Sequence, residues 1–268
     1  MLEGSKDCGK VMITMGEERV SNDVRFDFGG ARVLVTGGTS GIGHAIASAF
    51  AAAGAGVTVT GTKASAADYD TDLSAFGFRS LDVSDGEAVG ALAAGLDRID
   101  VLVNNAGANF PDGLDEWSPE GFAASLDLNV AGAQRLTVRA RAALAASGLA
   151  GGASVVNVVS MTSFRASTIV PGYSAATAAL LALTRSLAVH WAGQGIRVNA
   201  VAPGLIDTPM TAPMAAFPEL LDAELGRSAL GRMGTPEEVA AAVLFLSSSA
   251  SAYTTGSVFA VDGGYLAK

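Results

Sequence analysis

Cysteine is almost absent from this sequence. Cys8 stands alone, so no disulfide can close within the chain, and that usage fits a reducing, cytoplasmic setting. It lies in a polar stretch without a neighbouring histidine, which gives no ground for a reactive thiol or a metal ligand. Histidine is nearly as scarce. His44 opens one helical pattern and His190 falls late in another, so the two form no dyad and a dedicated zinc site lacks ligands. Charged residues make up only 16% of the chain, and the net charge of -9 argues against nucleic acid or an anionic membrane surface as a partner. No apolar run reaches the ~18 residues of a membrane-spanning helix, and the opening residues lack the apolar core of a secretory signal.

What the chain has in quantity is apolar residues, half of its 268, and glycine, 33 in number. A chain of this size buries an ample core. The glycines are dispersed, so they punctuate loops and do not mark low complexity. Residues 1–27 read as an N-terminal extension, mobile or partly ordered, with Met15 a candidate true start. Residues 28–268 read as one domain.

Short β-branched runs at 32–36, 57–60, 78–81, 99–103, 155–160, 196–201 and 257–261 predict strands. Helical patterns lie between them: after the glycines at 41–43, over 84–96 with Ser84 as N-cap, over 119–147 with a break near Asn129, over 172–192 and over 236–247. Strands that are nearly continuous apolar runs, alternating with helices, predict a doubly wound parallel α/β sheet of about seven strands in three layers. Residues 205–233 interrupt the alternation with Pro, Met and Phe, which suits a lid over the carboxyl edge of the sheet.

Two stretches carry chemistry. The first, from Thr36 to Gly43, joins a strand directly to a helix through Gly37, Thr39, Ser40, Gly41, Ile42 and Gly43. Glycine allows the tight turn and the approach of backbone N–H groups to a pyrophosphate, and the helix start adds positive potential. This predicts a dinucleotide site. The second strand ends in Thr62-Lys63 and has no carboxylate to hold a ribose 2′-hydroxyl, which favours NADP(H) over NAD(H). After the third strand, Asp82 and Val83 stand where an adenine could be met, with a plain helix-entry role for Asp82 as the rival reading. In the second stretch, Ser160 closes a strand, and Tyr173 and Thr177 share one face at the head of a helix. A hydroxyl opposite a phenol makes a proton-transfer site. Phe110, Trp117, Met210, Met214 and Phe217 serve equally as pocket or core, and the adjacent acids Glu17-Glu18, Asp115-Glu116 and Glu237-Glu238 read as solvated faces or helix-start charges.

With these residues placed, the sequence resembles the short-chain dehydrogenase/reductase family over 28–266, through TGGTSGIG at 36–43, LDVSD at 81–85, NNAG at 104–107 and LNVAG at 128–132. The match continues with NVVS at 157–160, Tyr173, IRVNAVAPG at 196–204, GRMGTPEEVA at 231–240, and VDGG at 261–264. The nearest look is to 3-oxoacyl-carrier-protein reductase-like members and to sugar or polyol dehydrogenases. The resemblance implies a Rossmann fold, a small carbonyl or alcohol substrate and a homotetramer or homodimer. It implies that Asn105, Ala106 and Gly107 border the cofactor, that Asn129 holds a relay water, that Ser160 orients the carbonyl, and that Tyr173 is the general acid or base. Pro203, Gly204, Ile206 and Thr208 would line the nicotinamide.

One position departs. The family reads Tyr-x-x-x-Lys, and this chain has Thr177 where the lysine belongs. That lysine binds the nicotinamide ribose and lowers the tyrosine pKa from about 10 toward neutrality. Thr177 shares at best the first task. The expectation is therefore a slow or alkaline-shifted NAD(P)-dependent oxidoreductase, with a catalytically silent dinucleotide-binding protein as the alternative. Arg165, in the loop before the helix, is the one cation that could swing in, though it reads more readily as a surface residue.

Overall fold

The computed structural model describes residues 24–268. The expectations for Cys8, Met15, Glu17-Glu18 and nearly all of the extension lie outside the described residues.

Among the described residues the strands are β1 (Arg32–Val35), β2 (Gly56–Gly61), β3 (Gly77–Ser80), β4 (Val101–Asn104), β5 (Ala153–Val158), β6 (Ile196–Pro203) and β7 (Val258–Val261). All their pairings are parallel, in the order β3-β2-β1-β4-β5-β6-β7. The helices are α1 (Gly41–Ala52), α2 (Gly86–Ala94), α3 (Pro119–Leu126), α4 (Gly132–Arg139), α5 (Arg141–Ala145), α6 (Pro171–Trp191), α7 (Pro218–Arg227) and α8 (Pro236–Ser247). None is long and apolar enough to cross a membrane.

Alternation within each strand sends neighbouring side chains to opposite faces. Val33 and Val35 of β1 join Ile46, Phe50 and Val243 beneath α1 and α8, whereas Leu34 joins Leu102, Leu136 and Trp191 on the other face. Chain order reverses between β1 and β4, so the connections leaving their carboxyl ends pass to opposite faces of the sheet and leave a crevice between them, the usual place for a ligand on such a sheet.

One local expectation is corrected and one is met. The N-cap of α2 is Asp85, whose carboxylate accepts from the N–H groups of Glu87 and Ala88, while Ser84 is held outside the helix by Asp82. The break near Asn129 is a π turn over Asp127–Ala131, set between α3 and α4. A wider turn of this kind breaks the helical hydrogen-bond register and often marks a functional position.

A buried polar chain ties the sheet to the helix of Tyr173. Asn104 Nδ2 donates to Asn157 Oδ1 at 2.7 Å and to Thr137 Oγ1 at 2.8 Å, and Asn157 Nδ2 donates to Thr184 Oγ1 on α6 at 2.8 Å. Asn157→Ala takes one acceptor from the Asn104 amide and one donor from the Thr184 hydroxyl in the core, leaving them Thr137 and the Leu180 carbonyl. It is expected to lower the unfolding free energy in urea by about 2–3 kcal/mol; a loss below about 0.5 kcal/mol would show that the chain bears no such load.

Candidate active site

The crevice begins at the glycine loop. Gly37 and Gly41 take φ of +63° and +51°, a region that L side chains enter only with strain. A Cβ on Gly43 would collide with the Gly37 carbonyl, so this turn excludes a side chain. Thr36 and Asn105 lock the loop to β4: Thr36 Oγ1 accepts from the N–H groups of Asn105 and Ala106, and Asn105 Nδ2 donates to the carbonyls of Thr36 and Gly37. Gly107 packs against Asn129 Oδ1 closely enough to bar a Cβ.

At the N-cap of α1, Ser40 is extended and makes no side-chain cap, and the first turn carries no acid. The leading N–H groups of α1, from Gly41, Ile42 and Gly43, are thus without a capping side chain and suit an anion. Thr39 is buried beside Gly61, and Thr208 lies over Gly41 from the opposite wall. The residues present fit the pyrophosphate of a dinucleotide.

At the end of β2, Tyr69 reaches back so that its hydroxyl accepts from Lys63 N–H at 2.8 Å, and the Lys63 ammonium sits over the Tyr69 ring. Thr62 and Lys63 are exposed, and the nearby Asp68 carboxylate is turned to Ser65. Asp82 Oδ1 accepts from the N–H and hydroxyl of Ser84, a helix-entry turn, while Val83 is buried against Gly132. On the far wall, Pro203 ends β6, Gly204 has no room for a Cβ beside Asp262, and Ile206 is buried against Gly234.

Ser160 lies just beyond β5 and caps a short turn, its Oγ accepting from Thr162 N–H and hydroxyl at 3.1 and 3.0 Å. Tyr173 is in the first turn of α6, and its phenol faces Ser160. Burial pushes the phenol pKa up; the Ser160 hydrogen bond offsets part of this, and the negative charge of Glu116 adds to it. Thr177, one turn on and 2% exposed, turns its hydroxyl back on its own helix, donating to Tyr173 O at 2.9 Å. Arg165 does not swing in. Its guanidinium is bound to the carbonyls of Leu266 and Lys268. Asn129 is spent on the loop after β4, exchanging hydrogen bonds with the N–H and carbonyl of Ala108 and donating to Ser125 O.

The solvated reading of Asp115-Glu116 fails for its second member. Glu116 is 1% exposed, and its carboxylate accepts from Phe110 N–H and from Tyr173 N–H, each at 2.8 Å. Nothing local in the sequence distinguishes this acid from a surface one, because its partner lies 57 residues away. Glu238 does sit at the start of a helix, in a capping box with Thr235 and paired with Arg232, which together draw its pKa down to about 2. Phe110, Trp117, Met210 and Phe217 are between 41% and 68% exposed and so are not core.

Comparison with known proteins agrees with this geometry. A family model described as enoyl-(acyl carrier protein) reductase matches residues 37–266. Galactitol 2-dehydrogenase (L-tagatose-forming) of Cereibacter sphaeroides is 40% identical over 252 residues, covering 90% of this chain and 96% of the relative. A 2-dehydro-3-deoxy-D-gluconate 5-dehydrogenase of Bacillus subtilis is 35% identical over 250 residues, covering 91% of this chain and 97% of the relative. The solved Pseudomonas aeruginosa RhlG/NADP active-site complex superposes with a TM-score of 0.80 at 33% identity, covering 90% of this chain and 98% of that one. The parallel sheet, the glycine loop and the facing Ser160 and Tyr173 define a dinucleotide-dependent oxidoreductase. The chain belongs to the short-chain dehydrogenase/reductase family.

Gly43→Ala puts a methyl group into the Gly37 carbonyl. It is expected to weaken NADPH binding at least tenfold in a fluorescence titration, by about 1.4 kcal/mol or more. Unchanged affinity would remove the loop from the binding site.

Proposed function

We propose that the protein interconverts a small secondary alcohol and its ketone, of the sugar, polyol or 3-oxoacyl kind, and that it prefers NADP(H). The observation that carries this reading is the Ser160 hydroxyl facing the Tyr173 phenol at the carboxyl edge of the sheet, beside an uncapped glycine-loop helix. The bound nicotinamide supplies or takes the hydride. Ser160 holds the substrate oxygen. In reduction Tyr173 gives its proton to the oxygen as the carbonyl carbon becomes a carbinol, and the phenolate is reprotonated from solvent; oxidation runs the same steps in reverse. Asn129 fixes the π turn and the loop beside the site, the position where a relay water would stand.

The preference for NADP(H) is supported by the absence of a carboxylate at the end of β2, by the exposed Lys63, and by the NADP in the solved relative. The leading N–H groups of α1 with Gly37, Thr39, Ser40, Gly41, Ile42 and Gly43 would hold the pyrophosphate, and Thr62 and Lys63 the adenosine ribose. Asp82 and Val83 would meet the adenine. Asn105, Ala106 and Gly107 would border the nicotinamide ribose, and Pro203, Gly204, Ile206 and Thr208 the nicotinamide. Residues 205–233 would act as the lid, presenting Met210 and Phe217 to an apolar part of the substrate. Phe122, Val138 and Val189 leave apolar surface on α3, α4 and α6, which supports a homodimer or homotetramer joined through those helices.

A catalytically silent, cofactor-binding protein is the second reading, favoured by Thr177 being turned back on its helix beside a phenol whose pKa is raised. A screen of ketones and alcohols with both cofactors separates the two. Turnover supports the first reading, and cofactor binding without turnover of any compound supports the second. Thr177→Lys is expected to raise turnover tenfold or more, since a lysine worth two to three pKa units contributes about 3–4 kcal/mol. An unchanged rate would show that the missing cation does not limit the reaction. Lys63→Ala is expected to raise KM for NADPH about tenfold and leave KM for NADH unchanged, the loss of about 1.4 kcal/mol at the 2′-phosphate. Equal effects on both would place Lys63 outside the 2′-phosphate site.

A further inference from the structure

Glu116 is a charged group buried without a cation, and the chemistry described above does not use it. Its two oxygens are divided between two separate pieces of the site. Oε1 accepts from Phe110 N–H in the loop after β4, and Oε2 accepts from Tyr173 N–H in the first turn of α6. Each contact is with a group that nothing else caps. Val170, the N-cap of α6, makes no side-chain cap, so the carboxylate takes over one of the orphaned N–H groups of the helix start. Phe110 stands at φ +48° and Asp112 at +56°, a tight reversal of two non-glycine residues that the carboxylate closes from within.

The surroundings are built around that carboxylate. A Cβ on Gly172, the residue before Tyr173, would lie 2.8 Å from Ser125 Cβ and 3.3 Å from Glu116 Oε2. Glycine at 172 thus lets the acid reach the backbone of Tyr173. Trp117, the next residue, donates from its indole to Thr168 O, which fastens the same segment to the loop before α6.

We propose that Glu116 is a positioning residue for Tyr173. It fixes the phenol's place by gripping the backbone of the tyrosine itself at the helix start, and so brings a carboxylate to the residue that exchanges the proton. The inference rests on Tyr173 being the proton-transfer group of the proposed reaction.

The groups that act on the Tyr173 phenol from the elements packed on α6 are the Ser160 hydroxyl and, through its charge, Glu116. The cations nearest in sequence look elsewhere. Arg165 is tied to the carbonyls of Leu266 and Lys268, and Arg185 is exposed more than three turns along α6. The charge of Glu116 therefore has no counter-charge at the site, and its action on the phenol has the same sign as burial.

Two variants separate position from charge. Glu116→Gln keeps the shape and one acceptor but removes the charge; Glu116→Asp keeps the charge but withdraws it by one methylene. The ionisation of Tyr173 is read as tyrosinate absorbance during an alkaline titration, by difference from Tyr173→Phe, which needs no turnover and so stands apart from the test of activity. Glu116→Gln is expected to move the Tyr173 midpoint at least half a pH unit to acid. Glu116→Asp is expected to leave that midpoint within a few tenths of a unit while lowering kcat at least tenfold on any substrate the wild type turns over. A midpoint unmoved in a folded Glu116→Gln protein would overturn the electrostatic part, and full kcat in Glu116→Asp would overturn the positioning part. If Glu116→Gln does not fold, the Glu116→Asp pair of readings decides alone: a midpoint that drops together with kcat would overturn the assignment.

Discussion

Seven parallel strands end their carboxyl termini on one edge, and the backbone groups there must find partners outside the sheet. At the junction of β1 and β4, where the chain reverses its winding, side chains join the backbone in supplying those partners. Thr36 and Asn105 tie the glycine loop to β4, and Asn104 and Asn157 tie β4 and β5 to one another and to α6. These bonds, to the loop backbone and between buried side chains, also fix the floor on which a dinucleotide and a substrate would lie. Stability and site geometry draw on the same few hydrogen bonds.

The Ser160–Tyr173 end of the site has an unusual charge balance. In the family that the chain belongs to, a lysine one turn beyond the tyrosine supplies a positive charge. Here Thr177 occupies that position with its hydroxyl returned to the Tyr173 carbonyl. The remaining charge beside the phenol is the carboxylate of Glu116, and it acts in the same direction as burial. A neutral phenol is the form that donates a proton in carbonyl reduction. Because the pKa is raised, that form persists through the physiological range and beyond, whereas the phenolate needed for alcohol oxidation gains population only as pH rises toward and past the usual tyrosine value of about 10.

Much of this was legible in the sequence where the cause is local. The strands between Arg32 and Val261 appear as apolar runs, and the turn from β1 into α1 is written in the contiguous glycines 37–43. The thirteen-residue spacing of Ser160 and Tyr173 marks two hydroxyls that the fold brings together. Contacts between distant segments were not legible. Glu116 looks like half of a solvated acidic pair until the fold brings it to a backbone N–H 57 residues away. Asp85 and not Ser84 caps α2, since two adjacent polar residues compete for one cap and only the backbone path decides between them. Arg165 reads as a surface residue and is one, but that the carbonyls of Leu266 and Lys268 hold it, a contact across more than 100 residues, was not legible. Thr177 was visible as a departure, while the direction of its hydroxyl was not.

The central claim is that Tyr173 acts without a cation and therefore stays protonated well above neutrality. The most direct measurement is the pH dependence of kcat/KM for oxidation of a secondary alcohol at saturating NADP, from pH 6 to 10.5. The account predicts a continuous rise across that range with no plateau, because the required phenolate is still gaining population at the alkaline end. A plateau reached near pH 7 to 8 would contradict it, since it would mean that some other group lowers the tyrosine's pKa as the family lysine does.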